Sequence, residues 1–250
     1  MHPTSERTFD VLLLDIEGTT TSISFVYDTL FPHARAAVSG FLREHRDDPG
    51  VRADVELLRA QAARDAAEGA PQIVAEAGTE EACAQAAANV LWQMDRDRKT
   101  TGLKSLQGRI WEAAYQGGAL KGHLYDDVPP LLSALTEVGV AVYIYSSGSV
   151  AAQQLLFAHS AFGDLTPLLG GYFDTTTGPK KVAASYEAIA EAIGVAPGRV
   201  LFLTDNLDEA HAAAQGGLQV KVSVRPGNPP LPAHRFETLT TFSALAEGQR

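Results

Sequence analysis

Two carboxylates separated by one residue are the first candidates for chemistry in this chain. Asp15 follows the apolar run Phe9–Leu14, and Glu17 stands two residues later in the segment Asp-Ile-Glu-Gly-Thr-Thr. In such a pair, one carboxylate can attack a phosphorus atom while the other exchanges protons with the leaving oxygen. The alternative is an ordinary turn or helix cap at a strand end.

A group of hydroxyl residues follows a second apolar run. Val140–Tyr145 leads into Ser146, Ser147, Gly148 and Ser149, just before a predicted helix. Hydroxyls and free backbone N–H groups at a helix start can bind an anion such as phosphate. The alternative is a helix cap, because serine is a preferred N-cap residue and Ser149 can serve that purpose alone.

A lysine and a third acid complete the candidate set. Lys180 is predicted at the start of a helix, where its charge opposes the helix dipole and so indicates a negative group from elsewhere. Asp205 ends the run Val200–Thr204; if that strand neighbours the one before Asp15, the two carboxylates form an oxygen-rich pocket of the kind Mg²⁺ prefers. An N-cap at Asp205 is the alternative. Four independent caps are not expected to combine a nucleophile, an anion site, a cation and a metal ligand.

The elements that must position these residues alternate between strands and helices. Apolar runs at Phe9–Leu14, Val138–Tyr145, Val200–Thr204 and Val220–Val224 predict buried strands, with helical patterns between the later ones. The alternation predicts an α/β fold with a doubly wound, mostly parallel, Rossmann-like sheet. Ligands bind beyond the carboxyl ends of strands in such sheets, which is where most of the candidate residues stand.

The alternation is interrupted once, by a long stretch of helical patterns with little strand signal. We therefore predict a first core segment at 1–20, an inserted all-helical cap domain at 21–122 and a second core segment at 123–250. The predicted helices of the insert are Asp28–Arg46, Val51–Ala67, Glu80–Arg98 and Leu103–Gln116. We expect the insert to close over the site and exclude water.

Three residues of the insert are candidates for substrate binding. Lys104, Gln107 and Trp111 fall at helical spacing on one side of a predicted helix. The alternatives are core packing for Trp111 and a solvated surface for Lys104.

Composition excludes several classes of function. Acidic residues outnumber basic ones 30 to 20, a net charge of −10, which predicts neither nucleic acid nor anionic membrane as partner. Cys83 is the only cysteine, so an intramolecular disulfide or a cysteine-rich zinc site is excluded. The sequence also lacks the glycine-rich nucleotide loops, the Gly-x-Ser-x-Gly elbow and the His-Glu-x-x-His pair, which disfavours dinucleotide enzymes, serine hydrolases and zinc enzymes.

The chain carries no sign of membrane targeting. Met1–Asp10 is polar, and the apolar run Gly139–Tyr145 is too short to span a bilayer. We expect cytoplasmic residence and a monomer.

Taken together, the motifs resemble those of the haloacid dehalogenase-like superfamily. Four motifs are similar to those of its enolase-phosphatase (acireductone synthase) branch: Asp-Ile-Glu-Gly-Thr-Thr, Tyr-Ser-Ser-Gly-Ser-Val, Gly-x-Lys and Phe-Leu-Thr-Asp. The resemblance runs from Leu13 to about Leu245 and includes Asp97–Thr101 and Val224–Asn228. Many phosphatases of the superfamily have Asp where Glu17 stands, whereas this branch has Glu.

The resemblance implies a role for each candidate residue. Asp15 would be nucleophile and Mg²⁺ ligand; Glu17 would contact the metal, through its backbone carbonyl, and act as acid or base. Ser146 and Ser147 would hold the phosphate. Lys180 would neutralise it, and Asp205 would complete the metal site. The sequence leaves open the roles of Asn206, Asp208 and Glu209.

The implied reaction belongs to methionine salvage, with Mg²⁺ as the only cofactor and a small phosphorylated metabolite as substrate. Members of the branch enolise 2,3-diketo-5-methylthiopentyl-1-phosphate and then release acireductone and phosphate through an aspartyl-phosphate. Glu17 is our hypothesis for the enolisation base. The alternatives are a Mg²⁺-dependent phosphatase or phosphomutase with another small substrate, and a non-catalytic phosphometabolite-binding module.

Overall fold

A computed structural model describes residues 7–247 of the chain. The outer ends of the predicted core segments, and of the polar segment from Met1, lie outside the described residues. Six parallel strands form one sheet in the order β3-β2-β1-β4-β5-β6. The strands are β1 (Val11–Leu14), β2 (Ala141–Tyr145), β3 (Gly171–Phe173), β4 (Val200–Thr204), β5 (Gln219–Ser223) and β6 (Glu237–Leu239). The predicted α/β class with a parallel sheet is confirmed.

The described helices separate these strands or belong to the insert. They are α1 (Phe31–Glu44), α2 (Pro49–Arg64), α3 (Glu80–Met94), α4 (Thr101–Gln116), α5 (Val128–Glu137), α6 (Val150–Ala158), α7 (Ala183–Ile193), α8 (Leu207–Gln215) and α9 (Ser243–Glu247). A π-helical turn at Phe25–Leu30 precedes α1, and short 3₁₀ turns occur at Ala66–Glu68, Thr166–Leu168 and Pro197–Arg199. Within the described chain, no helix is long and apolar enough to cross a bilayer.

Strand β1 lies in the middle of the sheet because every one of its side chains is apolar and buried. Leu14 is in register with Ile144 of β2 and with Leu203 of β4. Leu13 packs in a core cluster with Tyr186 of α7, among other residues. The three strands therefore end at the same level, which brings the residues that follow them to one edge of the sheet.

The chain divides into two compact units. One contains the sheet and comprises the described residues up to Val26 and from Lys121 onward. The other, Tyr27–Leu120, is helical, and its core combines apolar side chains from α1, α2, α3 and α4. Leu42, Leu58 and Leu106 are completely buried there.

Helix α5 and strand β6 are among the elements that the sequence pattern did not predict. Helix α5 begins with Val128 followed by two prolines, which suggest a loop but are compatible with a first helical turn. Strand β6 has three residues and lies at the edge of the sheet, too short for a periodic signal.

Candidate active site

Residues that follow three neighbouring strands meet at the carboxyl edge of the sheet. Asp15 follows β1, Ser146 follows β2 and Asp205 follows β4, with β1 in the middle. The backbone N–H of Asp15 donates to the carbonyl of Leu203 on β4 at 3.0 Å. Asp15 and Asp205 therefore occupy adjacent strand ends.

The carboxylate of Asp15 is buried and has a different set of contacts at each oxygen. Its Oδ1 accepts a hydrogen bond from the backbone N–H of Ile16 at 2.7 Å and one from Lys180 Nζ at 2.6 Å. Its Oδ2 lies 3.2 Å from the hydroxyl of Thr204. The Oδ1 side is thus held in place by two donors, which fixes the direction in which Oδ2 points.

Lys180 is a buried cation shared by two carboxylates. Its Nζ lies 2.6 Å from Asp15 Oδ1 and 2.7 Å from Glu209 Oε2. Burial lowers the pKa of Lys180, but the two carboxylates raise it by more, so that the pKa lies above its ordinary value. The lysine therefore stays protonated at neutral pH.

The prediction that Lys180 opens a helix is wrong. Helix α7 begins only at Ala183, with Val182 as its N-cap residue, and Lys180 stands in the preceding turn, which the Val182 N–H closes on the carbonyl of Pro179 at 3.1 Å. Proline at 179 fixes the backbone of this turn before the helix starts. The lysine is therefore placed by the turn and by its carboxylate partners.

Two tyrosines hold the backbone around Lys180. The hydroxyl of Tyr186 donates to the carbonyl of Lys180 at 2.6 Å, and that of Tyr145 donates to the carbonyl of Gly178 at 2.8 Å. Both aromatic side chains are completely buried, with their rings in edge contact. The backbone that carries Lys180 is thus fixed by hydrogen bonds to the carbonyls of Gly178 and of Lys180 itself.

Glu209 is one of the three residues whose roles the sequence left open. It lies in the first turn of α8, where the Asn206 side chain caps the helix by accepting from the N–H groups of Asp208 and Glu209. Glu209 Oε2 lies 3.0 Å from the Thr204 hydroxyl as well as close to Lys180. Burial and the charge of Asp15 raise the pKa of Glu209. The sequence analysis did not predict this contact; the spacing of four residues between Asp205 and Glu209 is a signal that could have indicated it.

Asp205 experiences an excess of negative charge. Burial raises its pKa to about 7, and the charges of Asp15, Glu209 and Glu17 contribute in the same direction against the opposing effect of Lys180. A carboxylate in this position is stabilised when a cation binds beside it. The donors at this edge are oxygens, which suit Mg²⁺.

The acidic side chains do not by themselves form a complete metal cage. Among residues 7–247, no three His, Cys, Asp or Glu side chains are grouped so as to hold an ion. Glu17 lies in the turn after Asp15, where its backbone pairs with that of Thr21 in an isolated bridge. Because Mg²⁺ commonly binds one or two carboxylates and keeps several waters, the pair Asp15 and Asp205 with a backbone carbonyl fits this ion.

The serines after β2 divide between two roles. Ser149 is the N-cap of α6 and accepts from the N–H of Ala152 at 3.3 Å, so the alternative interpretation holds for this residue. The first amide of α6, Val150 N–H, donates to the carboxylate of Asp174 at 3.2 Å. Ser146 is buried and Ser147 is exposed. The first turn of α6 is therefore already hydrogen-bonded to Ser149 and Asp174.

The three candidates from the insert lie on α4 in the helical unit. Trp111 packs against the core of that unit, and its indole N–H donates to the carbonyl of Leu30 at 2.9 Å. Gln107 is buried and Lys104 is half-buried. Trp111 thus has the packing role that the sequence allowed as an alternative.

Comparison with known proteins identifies a family. The sequence profile described as haloacid dehalogenase-like hydrolase matches residues 9–217. A protein of Synechococcus elongatus named Enolase-phosphatase E1 is 50% identical over 94% of this chain and 96% of its own length. A protein of the same name from Acyrthosiphon pisum is 46% identical over 95% of this chain and 97% of its own length.

A crystal structure gives the same result at the level of the fold. The UTR4 protein of Saccharomyces cerevisiae is 34% identical to this chain and superposes with a TM-score of 0.76. The alignment covers 94% of this chain and 99% of the yeast chain.

Proposed function

The chain belongs to the haloacid dehalogenase-like hydrolases, and on this premise we propose that it is an enolase-phosphatase. The proposed reaction converts 2,3-diketo-5-methylthiopentyl-1-phosphate to acireductone and phosphate in methionine salvage. Relatives named Enolase-phosphatase E1 that match nearly the whole chain support this substrate. The observation that carries the chemistry is the buried contact of Asp15 with Lys180, beside Asp205.

The phosphatase half of the reaction begins at Asp15. A carboxylate oxygen of Asp15 forms a bond to phosphorus, and the bond between phosphorus and the ester oxygen of the substrate breaks. Oδ2 is the proposed attacking atom, because Oδ1 accepts two hydrogen bonds, from Ile16 N–H and Lys180, and Oδ2 accepts only a longer one from the Thr204 hydroxyl. Glu17 gives a proton to the departing oxygen.

The second step restores the free carboxylate. Glu17, now deprotonated, takes a proton from a water molecule as the water oxygen attacks phosphorus. The bond between phosphorus and Asp15 breaks, so phosphate leaves and Asp15 is again a carboxylate. Glu17 is also the proposed base that removes a proton during enolisation of the diketone.

The remaining site residues are proposed to bind the phosphate and Mg²⁺. Ser146 and Ser147 are proposed to donate hydrogen bonds to the phosphate, and Lys180 to offset its negative charge. Asp15, Asp205 and the Glu17 carbonyl are proposed to hold Mg²⁺, which when bound supplies positive charge to the phosphoryl oxygens. The raised pKa of Asp205, which burial and the neighbouring acids cause, supports a cation at this place.

Substrate contacts from Lys104, Gln107 and Trp111 stay a prediction, as do a monomeric state and cytoplasmic residence.

The test is Mg²⁺-dependent phosphate release from the diketone phosphate, compared with a panel of sugar phosphates. We expect a strong preference for the diketone, together with accumulation of the enol that ultraviolet absorbance detects. The control is Asp15→Asn, which keeps the shape of the side chain and is expected to abolish phosphate release. Equal rates on the sugar phosphates would remove the specific assignment, and an active Asp15→Asn variant would contradict the covalent mechanism.

A further inference from the structure

We propose that Asn228 and Arg225 are positioning residues that hold the turn after Asp15 against the carboxylate of Asp205. Asn228 Nδ2 donates to the carbonyl of Gly18 at 2.9 Å, and Arg225 Nε donates to the carbonyl of Thr19 at 3.0 Å. Two consecutive carbonyls of the turn are thus held from a distant part of the chain. The effects on catalysis and on Mg²⁺ binding rest on the proposed function, whereas the effect on the turn does not.

Gly18 shows why the position of this turn matters. Its φ of +64° lies in the left-handed region, which favours glycine. A Cβ atom at this position would overlap the carboxyl group of Asp205. The main chain of the turn therefore lies directly against that carboxylate, and any shift of the turn changes the space beside Asp205.

Arg225 is anchored from several sides and is only 5% exposed. Its Nη1 and Nη2 donate to the two carboxylate oxygens of Asp127 at 2.8 and 2.5 Å, a bidentate pair of the strong kind. The guanidinium also lies 4.5 Å from the ring centroid of Tyr125 and 4.0 Å from that of Phe242. An arginine fixed in this way is a rigid support for the Thr19 carbonyl.

The side chain of Asn228 is placed at some cost in folding free energy. Its Oδ1 is buried and has no hydrogen-bond partner among residues 7–247, and a buried acceptor without a partner is unfavourable for folding. Stability alone therefore does not explain an asparagine here. The hydrogen bond from its Nδ2 to Gly18, on the turn that carries Glu17, is the contact that requires this residue.

The two residues act on the site through the main chain. The backbone of the turn contributes the Glu17 carbonyl to the proposed cation site. Removing a group that hydrogen-bonds to a metal ligand and orients it typically lowers metal affinity or activity by about 10- to 100-fold. We expect an effect of this size from the loss of the Asn228 contact, with little effect on folding.

The experiment compares Asn228→Ala with Thr241→Val in the full chain. The Thr241 hydroxyl bonds Asp127 at 2.9 Å and thus belongs to the same network, but its other hydrogen bond goes to Ser243, away from the turn. For each variant we measure Mg²⁺ affinity by calorimetry, hydrogen exchange of the peptide covering residues 16–21, the melting temperature, and kcat and KM for the diketone phosphate.

Asn228→Ala is expected to weaken Mg²⁺ binding and lower kcat by about 10-fold or more, and to speed exchange of the 16–21 amides. Its melting temperature and KM should change little. Thr241→Val is expected to resemble the wild type in Mg²⁺ affinity, exchange and kcat. Arg225→Lys, which keeps the charge but loses the bidentate geometry, is expected to behave like Asn228→Ala if it folds.

Wild-type Mg²⁺ affinity and exchange in Asn228→Ala would overturn the proposal, as would equal losses in Thr241→Val. If the wild type releases no phosphate from the diketone phosphate, the proposed function fails. Hydrogen exchange of the 16–21 amides in Asn228→Ala still decides whether the positioning role is correct.

Discussion

The ammonium nitrogen of Lys180 lies 2.6 Å from Oδ1 of Asp15, and both side chains are buried. A second carboxylate, that of Glu209, lies 2.7 Å from the same nitrogen. One cation therefore balances two acids, while Asp205 lies beside them with its own charge. This imbalance is the physical basis of the first two predictions.

Replacement of Lys180 by methionine should abolish phosphate release and lower stability. Removing one partner of a buried ion pair leaves uncompensated charge, which costs about 3–5 kcal/mol. Urea unfolding at neutral pH measures this loss. Lys181→Met is the matched control, because the Lys181 pair with Asp208 is largely exposed and should contribute little. Similar losses in the two variants would contradict the importance of burial.

Asp205→Asn should bind Mg²⁺ poorly and yet unfold at a higher temperature than the wild type when a chelator is present. The substitution removes a half-buried charge that lies near other acids, and the rise of the pKa to about 7 corresponds to a gain of about 1–4 kcal/mol. Calorimetry with Mg²⁺ and thermal melts in a chelator measure the two effects. A lower melting temperature in the chelator would show that Asp205 stabilises the metal-free fold.

Ser147→Ala and Ser149→Ala should have opposite consequences. Ser149 caps α6, so its loss should cost about 1 kcal/mol of stability and leave kcat and KM close to their wild-type values. Ser147 is proposed to hold phosphate, so its loss should raise KM with little change in stability. Steady-state kinetics and urea unfolding of both variants check this. A raised KM in the Ser149 variant alone would reverse the assignment.

Asp127→Asn should make the free energy of unfolding less dependent on pH in the acidic range. Burial raises the pKa of Asp127, but the hydrogen bonds from Arg225, Phe242 N–H and Thr241 outweigh it, so the pKa is lowered from 3.8. The charged form is therefore favoured in the folded state, which stabilises the protein above the unfolded-state pKa. This stabilisation is lost as pH falls through the lower folded-state value.

At neutral pH, Asp127→Asn should be less stable than the wild type by about 3 kcal/mol, because the buried guanidinium of Arg225 loses its charged partner. The difference should become smaller as pH falls below about 4, the unfolded-state pKa, and be smallest below the lowered folded-state pKa. Urea unfolding between neutral and acidic pH measures it. A difference that stays constant over this range would mean that the ion pair contributes nothing.

The amino-acid sequence predicted the elements that local patterns specify. The apolar run before Asp15 and the run Val200–Thr204 are buried strands, because uninterrupted apolar segments of this length need to be covered on both faces. A polar residue directly after such a strand lies at the carboxyl edge of the sheet. The types and positions of Asp15, Ser146 and Asp205 were therefore visible before the structure.

The partners of these residues were decided only by the tertiary structure. Lys180 contacts Asp15 across 165 positions of the chain, and Arg225 supports the Thr19 carbonyl across 206. Local periodicity carries no information about such pairs, because they depend on how loops and helices pack at the ends of the strands. For the same reason Lys180 was wrongly assigned to a helix start. The sequence by itself determined which side chains reach the edge of the sheet. The packing of distant segments determined which of them form ion pairs and hydrogen bonds with one another.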